Sequence, residues 1–189
     1  QLSFETLDAM GANFINTCLE LIASKITYLA KEDQLSTKKE NAIEIIMSII
    51  SNYVPESLVR AEISCPVDDF ILKQNSYDGQ IFSEKIINAI NIAKVDPYRA
   101  VTHNKGIMNG VDALIMATGN DFRSVEAGVH AFACSTGQYR PLSDAYIKEN
   151  HFFMELKIPL AIGTVGGLTK LHPMVDWSME MLGYPSARE

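Results

Sequence analysis

Between Arg99 and Thr118 the chain places Ala100, Gly106, Gly110, Ala113 and Ala117 in an otherwise apolar stretch. A helix with so many small side chains lets another backbone or a ligand come close, because little projects from its surface. The same stretch carries Lys105, inside His103-Asn104-Lys105-Gly106-Ile107-Met108-Asn109-Gly110. An ammonium among small apolar residues is costly to bury unless it is paired. Lys105 therefore either snorkels to the surface or serves chemistry, as a charged donor to a developing oxyanion or as an amine of lowered pKa.

The remaining pattern mixes helices and strands without strict βαβ alternation, which predicts an α+β fold. Apolar side chains recur at helical spacing from Gly11 to Leu29. Lys31–Glu40 reads as a polar loop, and the Ile-rich run Ala42–Ile50 as a buried strand. Leu58–Val67 alternates as a half-buried strand, with Pro66 ending its pairing. Ile81–Ala93 reads as a helix with Ser83 as its N-cap. Asp121–Cys134 reads as a buried helix, Tyr146–Leu160 as one strand, Gly163–Gly167 as a tight turn and Pro173–Leu182 as a last helix.

The 189 residues are 47% hydrophobic and 21% charged, with a net charge of -7. That balance suits a globular protein and argues against non-specific binding of nucleic acid, which needs Lys and Arg to neutralise phosphates. Cys18, Cys65 and Cys134 fit neither a disulfide framework nor a zinc site, and read as buried thiols in a reducing, cytoplasmic compartment. No apolar run approaches the roughly 20 residues that span a bilayer, so no membrane partner is expected. No HxxxH or HExxH spacing predicts a metal site, and no GxSxG predicts a serine nucleophile. His130 reads as a satisfied core residue, His151 as a surface residue and His172 as a helix entry.

Three further segments carry chemical potential. Asp8-Ala9-Met10-Gly11-Ala12-Asn13 opens the first helix, where free N–H groups suit a phosphate. The competing reading makes Asp8 an N-cap and Gly11 a packing glycine. Ala117-Thr118-Gly119-Asn120-Asp121 places a carboxylate after a glycine break, either as a partner for Lys105 or as the cap of the next helix. If the two pair, burial of both is expected, with Asp121 keeping Lys105 protonated. Gly163-Thr164-Val165-Gly166-Gly167 matches neither GxGxxG nor a P-loop.

Taken in order, these blocks closely resemble 3-hydroxy-3-methylglutaryl-coenzyme A (HMG-CoA) reductase, and His-Asn-Lys-Gly-Ile-Met-Asn-Gly resembles its class II form. The resemblance implies reduction of HMG-CoA to mevalonate, with two hydrides from NAD(H) or NADP(H) and a mevaldehyde-level intermediate. It implies that Lys105 donates to the thioester carbonyl oxygen and that Asp121 orients Lys105. Arg99 resembles the residue that binds the substrate carboxylate, and Asn109 a polar neighbour of lysine and substrate. Asp8, Met10, Gly11 and Asn13 resemble the dinucleotide-binding motif, and Asn52 a second cofactor contact.

The resemblance also implies domains and partners. Residues 1–52 correspond to the second half of a small cofactor domain, and 53–189 to the middle of a large, mostly helical substrate domain. A homodimer with its active site at the subunit interface is expected. The family's N-terminal glutamate and C-terminal histidine motifs are not in this sequence, which begins at Gln1 and ends at Glu189. Both ends read as cut, and the 189 residues alone are expected to be inert. Two competing readings are a non-catalytic remnant that folds or binds CoA or nucleotide without turnover, and an unrelated CoA- or nucleotide-binding module.

Overall fold

The computed structural model describes residues 2–32, 43–70, 78–169 and 171–187. Among the described residues, five α-helices and one three-stranded antiparallel sheet make an α+β fold. The helices are α1 (Ala12–Glu32), α2 (Gly79–Val95), α3 (Pro97–Ala117), α4 (Phe122–Ala133) and α5 (Pro173–Met181). The strands are β1 (Leu58–Pro66), β2 (Ser143–Lys148) and β3 (His151–Pro159), in the order β1-β3-β2.

Local chemistry sets most helix starts. Asp96 caps α3 by accepting from Tyr98 N at 3.0 Å, and Pro97 follows in the first turn, where its missing N–H costs nothing. His172 caps α5 through Nδ1, again followed by a proline. In α2 the cap is Asp78, which accepts from Gln80 N at 2.9 Å. Ser83, expected as that cap, is instead fully buried one turn into the helix, where its hydroxyl donates to Gly79 O.

The core has two parts. Met108 and Ile115 of α3 pack with Val125 and Val129 of α4, Leu142, and Ile158 of β3. Val67, Ile90 of α2, Ala145 and Phe152 form the second cluster. Helix α2 lies on β2 and α4 lies on β3. The edge strand β1 is left exposed along most of its length rather than half-buried. Its ladder ends at Pro66 opposite His151, as the proline predicts.

Two strand expectations fail for identifiable reasons. Residues 43–50 form no strand, and Ile46, Met47 and Ile49 are exposed. A strand needs a neighbour's backbone, and the sheet consists of β1, β3 and β2 alone among the described residues. A side-chain contact holds the end of this run instead: Ile50 N donates to Asn16 Oδ1 of α1 at 2.9 Å. Ala42 and most of the expected 31–40 loop lie outside the described residues. Tyr146–Leu160 is a hairpin rather than one strand. Glu149 and Asn150 take φ of 51° and 61°, the left-handed pair of a two-residue turn whose twist matches the strands.

Candidate active site

The Asp8–Asn13 block is held by backbone as well as side chain. Helix α1 starts at Ala12, four residues after Asp8, so Asp8 is not its cap. Its carboxylate instead accepts from Ala187 N at 3.0 Å, and its carbonyl accepts from Thr164 N at 2.8 Å and Val165 N at 3.2 Å. Gly11 holds φ +84°, a conformation that L side chains avoid, and its carbonyl begins the helix by accepting from Ile15 N. A Cβ on Gly11 would collide with the Thr6 side chain, so the glycine packs against Thr6, as the competing reading expects. A cleft of about 680 Å³ adjoins the block, lined by Met10, Ile15, Ser51, Asn52, Leu160 and Ile162.

Asn52 reaches the same region from the other side. Its Oδ1 accepts from Ser124 Oγ at 2.8 Å, in the first turn of α4. A Cβ on Gly128 would lie 2.6 Å from Asn52 O, so the backbones of α4 and residue 52 are in direct contact. Asp121 caps this helix, accepting from Arg123 N at 3.1 Å and Ser124 N at 3.4 Å. Asn120, immediately before it, bonds both the N–H and the C=O of one residue. Its Nδ2 donates to Gly163 O at 3.0 Å and its Oδ1 accepts from Gly163 N at 2.8 Å. The structure therefore brings together the Asp8–Asn13 block, Asn52 and Asp121 at the junction of α3 and α4.

Arg99, Lys105 and Asn109 lie elsewhere, along α3. Lys105 and Asn109 are one turn apart and exposed. Arg99 is six residues before Lys105, which turns it about 120° away around the helix. Arg99 instead lies near His103, whose pKa is lowered first by burial and then by that guanidinium. His103 Nε2 contacts Ser143 Oγ at 2.7 Å. Next to it, Asn104 is fully buried.

The expected buried pair of Lys105 and Asp121 is not formed within one chain. Lys105 makes no salt bridge among the described residues, and Asp121 meets Arg123 at 3.5 Å. The reason is the length of α3, which runs unbroken from Lys105 to Ala117, about 18 Å of rise. The break at Gly119 lets the chain reverse only after that distance, so α4 starts beyond the far end of α3 from the lysine. Within a single copy, Lys105 is a solvated cation and Asp121 a helix cap.

A second acidic site on α3 escapes the sequence reading. Asp112 Oδ1 is buried without a hydrogen-bond partner. Burial, then the nearby Glu126 charge, raises its pKa, and His130 opposes them. His130 is less a core residue than expected: its ring is partly exposed, with Nδ1 2.8 Å from the Tyr139 hydroxyl. The cysteines are not buried as expected either: Cys134 is exposed, and Cys18 and Cys65 are only partly covered. Ser124 is also absent from the sequence reading, since a serine in a first helical turn looks ordinary until Asn52 is seen against it. No described helix is long and apolar enough to cross a membrane.

Comparison with known proteins agrees with the order of the sequence blocks. The model of the hydroxymethylglutaryl-coenzyme A reductase family matches residues 1–189. The chain is 36% identical over its whole length to 3-hydroxy-3-methylglutaryl-coenzyme A reductase of Archaeoglobus fulgidus, and covers 39% of that protein. It is 35% identical to the probable enzyme of Borreliella burgdorferi, with 98% of the chain covering 40% of that protein. Among solved structures it resembles the class II reductase of Streptococcus pneumoniae bound to NADPH in open conformations. The TM-score there is 0.81 at 41% identity, covering 98% of this chain and 47% of that one. The chain thus spans about two-fifths of the length of these curated relatives. With the family pattern matched from the first residue to the last, the chain belongs to the hydroxymethylglutaryl-coenzyme A reductase family.

Proposed function

We propose that this chain supplies the central portion of a cytoplasmic, NAD(P)H-dependent reductase that converts HMG-CoA to mevalonate and releases CoA. The observation that carries the reading is the convergence of the Asp8–Asn13 block, Asn52 and Asp121 on one junction. Family membership supports it, as does the NADPH bound to the Streptococcus pneumoniae relative.

The residues present fit a dinucleotide. Met10 and Asn52 line one cleft, and the start of α1 beside it presents the positive end of a helix, which suits a phosphate. Asp8, Met10, Gly11, Asn13 and Asn52 are the residues that would hold it. When bound, the reduced nicotinamide supplies hydride. The protein's own task is electrostatic: Lys105 donates to the thioester carbonyl oxygen, where a fixed ammonium is worth more in a dry site than in water. Asp121 keeps that ammonium protonated and oriented. Arg99 takes the free carboxylate of HMG-CoA, and Asn109 lies one turn from Lys105 on the same face.

Helix α3 runs on for about 18 Å of rise beyond Lys105 before the chain reverses towards Asp121, which supports reading their pairing as one between two copies of the chain. Among the described residues, nothing beyond the helix's own backbone stands within 4 Å of a Cβ built on Gly106 or Gly110, so the surface beside Lys105 is open to such an approach. The proposed enzyme is accordingly a homodimer whose site is shared between copies.

The direct test is HMG-CoA-dependent oxidation of NADH or NADPH by the complete gene product, with mevalonate identified as product. Lys105→Ala should lower kcat by about 10²–10³, the usual effect of losing an oxyanion donor. Absence of turnover in the unmodified protein would favour the non-catalytic reading.

A further inference from the structure

Asn120 and Gly163 form a contact whose geometry exceeds what a loop needs. We propose that Asn120 is a positioning residue that sets the nicotinamide-binding block against Asp121, with Gly163 as the spacer between them. The proposal rests on the reductase reading above.

The argument begins with the carboxamide. It has two donors and an acceptor, and it spends a donor and the acceptor on the C=O and N–H of the same residue, 43 positions away. A reciprocal pair of this kind fixes orientation as well as distance, since rotating either partner breaks both bonds. The other Asn120 contacts, to Thr118 O and Thr118 Oγ1, hold the carboxamide in that orientation.

Gly163 carries the constraint onward. A Cβ there would lie 2.6 Å from Met10 N and 3.2 Å from Asp8 O, so no side chain fits between residue 163 and the block. The next two amides, Thr164 N and Val165 N, both donate to Asp8 O. One peptide segment is thus gripped by Asn120 on one side and by Asp8–Met10 on the other. Asp121 follows Asn120 directly and is fixed by its own bonds at the start of α4. Asp121 is therefore linked to the Asp8–Met10 segment through Asn120 and the backbone of residues 163–165, with no flexible side chain on the way other than that of Asn120.

A second path to the same region, Ser124 to Asn52, involves neither Asn120 nor Gly163. The substrate-side residues Arg99, Lys105 and Asn109 lie on α3, away from Gly163. Loosening the Asn120 link should therefore displace the nicotinamide side of the site and leave the HMG-CoA side in place.

The test uses the complete gene product, with NADPH and NADH as probes. Asn120→Ala removes the grip, and Gly163→Ala wedges the other face of the same spacer. Each should raise the KM for the nicotinamide about tenfold while the KM for HMG-CoA moves less than about twofold, a split a general loss of folding does not produce. Equilibrium binding of NADPH, followed by its own fluorescence, should weaken in parallel. Equal effects on both KM values, or unchanged NADPH binding in both variants, would overturn the positioning role. If the unmodified protein binds NADPH but does not turn over HMG-CoA, the reductase reading fails, and the binding comparison alone decides the role of Asn120. A protein that binds no NADPH overturns both.

Discussion

Asn104 joins α3 to the segment that enters β2: Leu142 N donates to its Oδ1 at 3.0 Å, and its own Nδ2 donates to Arg140 O at 2.9 Å. The side chain is fully buried, and Leu142 belongs to the main core cluster. Removing it strands the buried Leu142 N–H and deprives the part-buried Arg140 O of its donor. A stranded buried group costs about 1–3 kcal/mol. Asn104→Ala should therefore destabilise the fold by about 2–4 kcal/mol, read as a lower urea midpoint with an unchanged slope. A midpoint within error of the unmodified protein would show that the clamp is dispensable. The lysine beside it is exposed, so Lys105→Ala should leave the same midpoint nearly untouched.

The separation of Lys105 from Asp121 along α3 gives the shared-site proposal a sharp test. Lys105→Ala and Asp121→Asn should each reduce kcat by about 10²–10³. When the two variants are unfolded together and reassembled, a mixed dimer carries one site with both changes and one site with neither. Random pairing then restores about a quarter of full activity. Recovery no greater than the sum of the separate variants would mean that each site draws both residues from one chain.

Much of this architecture was legible in the residues, and the exceptions share a cause. Helices α4 and α5 announce themselves through Asp121 and His172-Pro173, because a cap is a local hydrogen bond. The Ala42–Ile50 run misleads because hydrophobicity marks what wants covering, not which backbone is available to pair. Glu149-Asn150 hides a hairpin because the turn contains no glycine. The blocks of the site could be found by their order. Their juxtaposition could not, because the contacts that join them, Asn120 to Gly163 and Ser124 to Asn52, are separated by 43 and 72 positions.

His103 gives the fold a pH dependence of definite sign. Burial, followed by the Arg99 charge, holds its pKa below the ordinary value of 6.5. The folded protein thus keeps the ring neutral where the unfolded chain protonates it. The contribution is complete above 6.5 and is lost as pH falls through the folded-state pKa. His103→Gln retains a polar partner for Ser143 but cannot titrate. The fall in urea midpoint between pH 7.5 and pH 5, both working conditions chosen about the ring's ordinary range, should be smaller in this variant. An identical fall would place the acid sensitivity elsewhere.

Gly128 tests whether Asn52 is seated on α4 as the site requires. In an exposed helix interior, glycine-to-alanine stabilises by about 1 kcal/mol, because alanine surrenders less backbone entropy. Position 128 should show the opposite sign. A Cβ there would sit 2.6 Å from Asn52 O, a backbone atom that cannot swing aside as a side chain does. Either α4 or residues around 52 must shift, and inserting a methyl group at such a contact costs about 1–3 kcal/mol. The same shift pulls Asn52 away from Ser124 Oγ, and so disturbs one of the two walls of the proposed nicotinamide site. Gly128→Ala should therefore lower the urea midpoint and weaken NADPH binding together. A variant that gains stability and binds NADPH unchanged would show that residue 52 does not rest on this helix.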